Sequence, residues 1–324
     1  MPPTEKSLLR RAADAVGLQY IGLILANLII ILVMAAHYEE FLSPFNIEVT
    51  LMSFLPEAVM SLGMTLVIIT GGIDLSISAV LPLSAIAVGM CMNRGVPWGP
   101  AIAVALAFAT LIGLINAKLI NVLRVHPFIV TMAMMLTLKG FNLAVTDGRT
   151  LAGFPDSFQE MGQGYLWDLV PIPMAIFAGL AAITAVFLGH NRFVRQVYSI
   201  GGNERAARLS GIRVERMRYF VYGLSSFLAG VAGVIVAAQY GSANNSYGQN
   251  AEMKVITSVA VGGASLNGGS GTIASTLLGV LFLAVVNGSF VMTGISTYWQ
   301  DIVNGGMLLA AVVVGEFAFN RRQR

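Results

Sequence analysis

Ten apolar stretches separated by short polar segments organise this chain. A transmembrane helix needs roughly 20 apolar residues to cross the hydrocarbon layer, and residues 18–36, 54–70, 77–92, 98–117, 127–146, 169–189, 220–239, 273–290 and 295–310 supply such segments. Residues 253–263 form a weaker span, too short for a full crossing unless it recruits flanking residues or breaks. The turn between the third and fourth stretches, around Asn93, Arg94 and Gly95, is so short that those two helices should be adjacent and antiparallel. The pattern predicts an all-α polytopic membrane protein of about ten transmembrane helices.

Loop charge gives the helices a direction. Residues 190–219 carry Arg192, Arg195, Arg205, Arg208, Arg213, Arg216 and Arg218 against only Glu204 and Glu215, and basic loops stay on the cytoplasmic side. Lys6, Arg10 and Arg11 precede the first stretch, Lys118 and Arg124 flank the fourth, and Arg321, Arg322 and Arg324 follow the last. The loops with Glu39, Glu40 and Glu48, and with Asp147, Asp156, Glu160 and Asp168, are acidic and should lie outside, the second forming an extracellular cap. Ten crossings place both termini in the cytoplasm; nine or eleven would put one basic terminus outside. The run ending Val33-Met-Ala-Ala36 resembles a signal-peptide cleavage region, but it is long and fixes entry topology, so it is read as uncut.

Composition removes several function classes. Of 324 residues 56% are hydrophobic and 11% charged, too few charges to cover a soluble surface. The formal charge of +3 sits at termini and in loops, which reads as membrane orientation and gives no hint of nucleic-acid binding. Cys91 has no partner for a disulfide, and His37, His126 and His190 are too scattered to suggest a metal site. No linker or soluble domain interrupts the chain. The simplest organisation is one membrane domain over residues 1–324, made of two related halves around residue 190.

Two interruptions support that duplication. Gly71, Gly72, Asp74 and Ser76 separate the second and third stretches, while Gly262, Gly263, Gly268 and Gly269 separate the eighth and ninth. Paired interruptions in two halves point to broken helices at a repeat interface. Asp74 and Ser76 can cap exposed helix-start amides, act in a gate, or touch solute. Glu57 and Lys139 fall inside spans, where a lone charge is costly; interfacial placement, mutual satisfaction or a place on the solute route would each explain them. Asn116, Asn142, Asn287 and Asn304 can bond helices together or line a polar path. Their number suits an uncharged polyhydroxylated solute. Asn287-Gly-Ser289 matches a glycosylation acceptor but lies within a span.

Four motifs in order carry a resemblance across nearly the whole chain: Ile69-Thr-Gly-Gly-Ile-Asp-Leu-Ser76, Val125-His-Pro-Phe-Ile-Val-Thr131, Gly201-Gly-Asn-Glu-Arg-Ala-Ala-Arg-Leu-Ser-Gly-Ile212 and Val261-Gly-Gly-Ala-Ser-Leu-Asn-Gly-Gly-Ser-Gly271. The chain resembles the bacterial permeases of ATP-binding-cassette importers for ribose, arabinose, xylose, allose and similar monosaccharides. The resemblance implies an inner-membrane permease dimer, associated ATP-binding subunits, a periplasmic sugar-binding protein, and alternating access. Cofactors are expected only in the partner, as ATP and Mg. The resemblance places the cytoplasmic coupling segment at Gly202, Asn203, Glu204, Ala206, Ala207 and Gly211. Ser78 and Ser270 depart from the family pattern, where glycine and a basic residue are common, which weakens transfer of gate geometry.

Competing functions are weaker. An amino-acid permease of the same broad type would need paired charges for a zwitterion. An intramembrane enzyme would need a catalytic constellation, yet no metalloprotease signature, nucleophile elbow or ATP-binding P-loop is present. A structural scaffold leaves the coupling segment without a purpose. The chain is therefore read as a transport component and not an enzyme, with Phe128, Asn142, Asn287 and Trp299 as candidates for the solute path.

Overall fold

A computed structural model describes residues 5–323, with side chains described for residues 20–313. The basic terminal residues used above to orient the chain lie outside the described side chains. The helices are α1 (Glu5–His37), α2 (Pro44–Ile69), α3 (Ile77–Met92), α4 (Trp98–Leu123), α5 (Pro127–Thr146), α6 (Asp156–Gln163), α7 (Ile172–His190), α8 (Gln196–Gly202), α9 (Glu204–Leu209), α10 (Val214–Tyr240), α11 (Ala251–Val261), α12 (Ile273–Met292) and α13 (Thr297–Gln323). Among the described residues, α1 from Tyr20, α2, α4, α5, α7, α10 and α12 are long and apolar enough to cross a membrane. The chain is thus a polytopic helical membrane protein, and each of the ten expected stretches overlaps a helix.

Two of the ten are short. The third stretch, α3, has 16 residues, and the eighth, α11, has 11, about 16 Å at 1.5 Å per residue against a hydrocarbon core of about 30 Å. The position of α11 follows from its antiparallel partner. Ser258 packs against Gly279 and Gly262 against Ser275, so α11 ends level with the first turn of α12. The same register sets Ala251 level with Val286, six residues below the end of α12 at Met292. The missing depth lies before α11, and the polar loop of residues 241–250 occupies it.

The centre of the bundle is α2 and α10, whose apolar windows are 89% and 78% buried, against 11% for α1. Lipid supplies no hydrophobic drive between helices, so close packing must hold them. The α4 face buried on α10 repeats small residues every fourth position: Ala101, Ala105, Ala109, Gly113 and Ala117. At Gly113 the backbones approach so closely that a Cβ would overlap the Tyr222 carbonyl oxygen. The turn at residues 93–97 makes α3 and α4 neighbours, as their spacing predicts. Beyond α5, Leu151–Ala152 (β1) pairs antiparallel with Ser242–Ala243 (β4), and Tyr165–Leu166 (β2) with Val170–Pro171 (β3). With α6 they close the far end of α10, where Phe158 is buried and Gly162 abuts Ala238 and Gln239.

Mutual satisfaction of Glu57 and Lys139 is corrected here. Glu57 pairs with Lys254 of α11 at 3.5 Å, and the Lys254 ammonium also lies over the Phe54 ring, 5.6 Å from its centroid. Sequence distance hid this partner. Lys139 is half-buried and joins no ion pair among the described residues.

Gly113→Leu forces α4 off α10 and should lower the melting temperature of the detergent-purified chain by several degrees, since overpacking costs roughly 1–3 kcal/mol. Gly99→Leu on the same helix enters open space and should leave it unchanged. Equal shifts in the two variants would refute the packing assignment.

Candidate functional site

Three backbone segments meet at the end of the bundle that carries the arginine-rich loop. They are the last turn of α2 with Gly71, the end of α8, and the loop of residues 262–272. The Gly269 amide donates to the Ile69 carbonyl at 2.8 Å. Gly201 is wedged between them: a Cβ there would overlap the Ile69 oxygen and the Gly269 nitrogen. Gly71 faces the Asn267 carbonyl, and Gly268 sits against Gly71 and Gly201. Gly269 holds a φ of +78°, a left-handed conformation glycine adopts without steric cost. Tyr198 of α8 adds a side-chain strut, its hydroxyl donating to the Gly271 carbonyl at 2.8 Å. The two sequence interruptions are therefore joined in space, with α8 between them. Gly262 and Gly263 lie at the other end of their loop, beside the first turn of α12.

From this junction the chain turns into α9. The Asn203 side chain caps α9 by accepting from the Ala206 amide at 3.0 Å. Gly211, at φ +83°, closes it, with its amide bonded to Arg208 and the Ile212 amide to Ala207. Ala207 is buried, whereas Gly202, Arg205, Ala206 and Leu209 point outward. Leu209 is 91% exposed, a lone large apolar group on a basic surface. Glu204 is held from both sides: Arg208 donates to it at 2.9 and 3.1 Å, and Arg218 of α10 at 2.7 Å. Arg208 also pairs with Glu215, and Arg218 reaches Asn121 of α4 at 3.3 Å. Single exposed ion pairs contribute little, but this network ties α9 to both α10 and α4. Glu204 thus has internal partners, and Leu209 with Arg205 forms the free face.

One turn deeper, Asp74 is fully buried. It accepts from the Ser76 amide at 3.1 Å, the Ser76 hydroxyl at 2.6 Å and the Ser225 hydroxyl of α10 at 3.0 Å. Asn116 of α4 donates to the Ser76 hydroxyl at 2.9 Å, and Thr131 of α5 to the Ile73 carbonyl at 3.1 Å. The start of α3 is therefore pinned to α4, α5 and α10. Ser78 is buried and bonds the Leu75 carbonyl, while the Ser270 carbonyl accepts from Ser265 inside the glycine loop.

The four path candidates do not converge. Phe128 is part-exposed in the first turn of α5 and Trp299 is exposed in the first turn of α13. Asn287 bonds Asn304 reciprocally at 3.3 Å and joins α12 to α13. Asn142 is buried and donates to the Ala79 carbonyl of α3 at 3.0 Å. Sequence reasoning passed over Gly201, Leu209 and Glu252, and it read Arg218 only as one of the loop's basic residues. The first two had a signal: a glycine pair whose first member is the crowded one, and a single leucine in a basic loop.

An exposed two-helix platform is bonded through backbone contacts to the breaks in two membrane helices. Known proteins are similar to this chain over most of its length. The ribose import permease protein RbsC of Bacillus subtilis is 36% identical over 299 residues, covering 92% of each chain. The protein of the same name from Escherichia coli K12 is 35% identical over 294 residues, covering 90% of this chain and 92% of that one. The autoinducer 2 import system permease protein LsrD of Enterobacter sp. strain 638 is 30% identical over 306 residues, 91% of this chain and 93% of that one. No solved structure matches significantly. With residues 46–312 matching throughout, the chain belongs to the family described as the permease component of branched-chain amino acid transport systems.

Proposed function

We propose that this chain is the membrane permease of an ATP-binding-cassette importer that moves a monosaccharide delivered by a periplasmic binding protein. The observation that carries the proposal is the α8–α9 platform, exposed at Leu209 and Arg205 yet seated on Ile69 and Gly269. A groove in a separate ATP-hydrolysing subunit would receive Leu209, and its acidic rim the arginines. ATP and Mg would reside in that subunit. Closure of the partner would push α8 against the ends of α2 and the residue 262–272 loop, and so reset the broken helices. This orientation puts the platform and both termini in the cytoplasm and α6 with the β2–β3 hairpin outside the inner membrane. A second permease copy completes the route, as the resemblance implies.

Relatives named for ribose support a sugar as the solute. An amino-acid solute, as in the family's description, would need opposite fixed charges free to meet a zwitterion. Lys254 is already engaged by Glu57 and the Phe54 ring, which favours a neutral solute.

Vesicles holding this chain and its co-encoded ATPase should take up one radiolabelled monosaccharide when the cognate binding protein and ATP are supplied. Uptake of branched-chain amino acids in place of any sugar would overturn the solute assignment. Leu209→Asp should cut binding-protein-stimulated ATP hydrolysis and uptake at least tenfold with no change in melting temperature, because the side chain supports nothing internal. Glu204→Lys sets a cation beside Arg208 and Arg218 and should lower both coupling and stability. Normal coupling in Leu209→Asp would remove α9 from the contact.

A further inference from the structure

Seven side-chain oxygens lie buried without a hydrogen-bond partner among the described residues, and three of them, Oδ1 of Asn142, Oδ1 of Asn245 and Oε2 of Glu252, are carried by α5, the residue 241–250 loop and α11. We propose that these three form the contact that receives the hydroxyl groups of the solute in transit, at the outer half of the bundle. The assignment rests on the sugar-import reading above and names residues for it.

Contacts with α3 place the three elements around its opening turns. Asn142 of α5 bonds the Ala79 carbonyl at 3.0 Å. Gly248 packs on the neighbouring Ser78 carbonyl and on Leu81, and Glu252 follows one turn later in the first turn of α11. Asn245 donates to Thr146 at 2.8 Å, and Thr146 lies one turn above Asn142, bonding its carbonyl. All three flank the opening turns of α3, where the residue 241–250 loop dips below the end of α12.

Their chemistry selects the ligand. Each amide NH2 commits one hydrogen, to the Ala79 carbonyl and to Thr146, which orients the two side chains and leaves each with a free carbonyl oxygen and one further N–H. Glu252 is 5% exposed and joins no ion pair among the described residues. A buried carboxylate inside a membrane is costly and marks a functional position. Free acceptors with remaining N–H donors suit a ligand that both gives and takes hydrogen bonds, and a neutral polyol presents several hydroxyls without adding charge. Exposed Gln249 and Asn250 at the start of α11 give the site an open flank.

The test uses the assembled importer in vesicles, with the binding protein preloaded with each of several radiolabelled monosaccharides, ribose among them. Uptake is normalised to co-purified complex. Glu252→Leu and Asn142→Leu should each lower initial uptake at least tenfold, while Glu252→Gln, which keeps an acceptor oxygen, should stay within threefold of wild type. Met253→Leu, on the exposed neighbour, should change nothing. Uptake within twofold of wild type in both leucine variants overturns the assignment. A loss in Glu252→Gln equal to that in Glu252→Leu also overturns it, since negative charge would then matter and a cation would be the ligand. Leucine variants that fail to assemble beside a fully active Glu252→Gln would assign a structural role instead. Wild-type complex that moves no monosaccharide removes the sugar reading itself, and this assignment with it.

Discussion

The contact of Gly201 with Ile69 and Gly269 is the constraint on which the rest of the structure depends. Side chains elsewhere in the bundle can adjust by rotamer changes, but here three main chains touch, and no side chain can act as a cushion. A rigid contact transmits displacement with little loss, because packed protein responds by switching between arrangements more readily than by bending. It also joins the two glycine interruptions, which are separated by nearly two hundred residues of sequence. A shift of α8 therefore acts at once on the end of α2 and on the loop leading back to α11.

Packing around that contact follows from the solvent. Within hydrocarbon, helices gain nothing by hiding apolar surface, so association rests on close backbone approach and on satisfied polar groups. The small-residue ridge of α4 supplies the first against α10, and Asp74 with Ser76, Ser225 and Asn116 supplies the second. Placing Asp74 ahead of α3 satisfies the Ser76 amide just before a helix that begins in mid-bundle, where an unbonded N–H would have no water to meet. The broken helix and the buried acid explain each other.

Much of this was legible in the sequence, and the limits of legibility have physical causes. Apolar length located all seven helices that are long enough to span among the described residues, and paired glycines located both breaks, since those signals are local. The weak stretch at 253–263 already announced a half-helix. Which end was missing depended on the register between α11 and α12, a property of two segments together. The same holds for Glu57: its span was visible, but Lys254 is a partner only in three dimensions. Gly202 was read as part of the contact and Gly201 was not, although Gly202 has open space around it and Gly201 has none. Composition cannot rank two adjacent glycines; only the atoms facing them can. Glu204 presents the converse case, a charge in a basic loop that looks free in sequence and is enclosed by arginines in space.

Ion pairs concentrate at the platform end of the bundle. Near the platform, Glu204, Arg208, Glu215 and Arg218 are tied to one another, and the backbone junction beneath them is tight. Beside the opening turns of α3, acceptors are buried without donors and a polar loop takes the place of helix. The first region is built to hold one geometry, while the second is left incomplete, as a transient contact requires: a site that binds its solute firmly would not release it. The eleven residues of α11 connect the two, rooted at one end in the glycine loop that meets α8 and ending at the other beside Glu252. Under the proposed mechanism, a push on the platform reaches the incomplete site through a single short helix, so coupling and solute contact belong to one mechanical element.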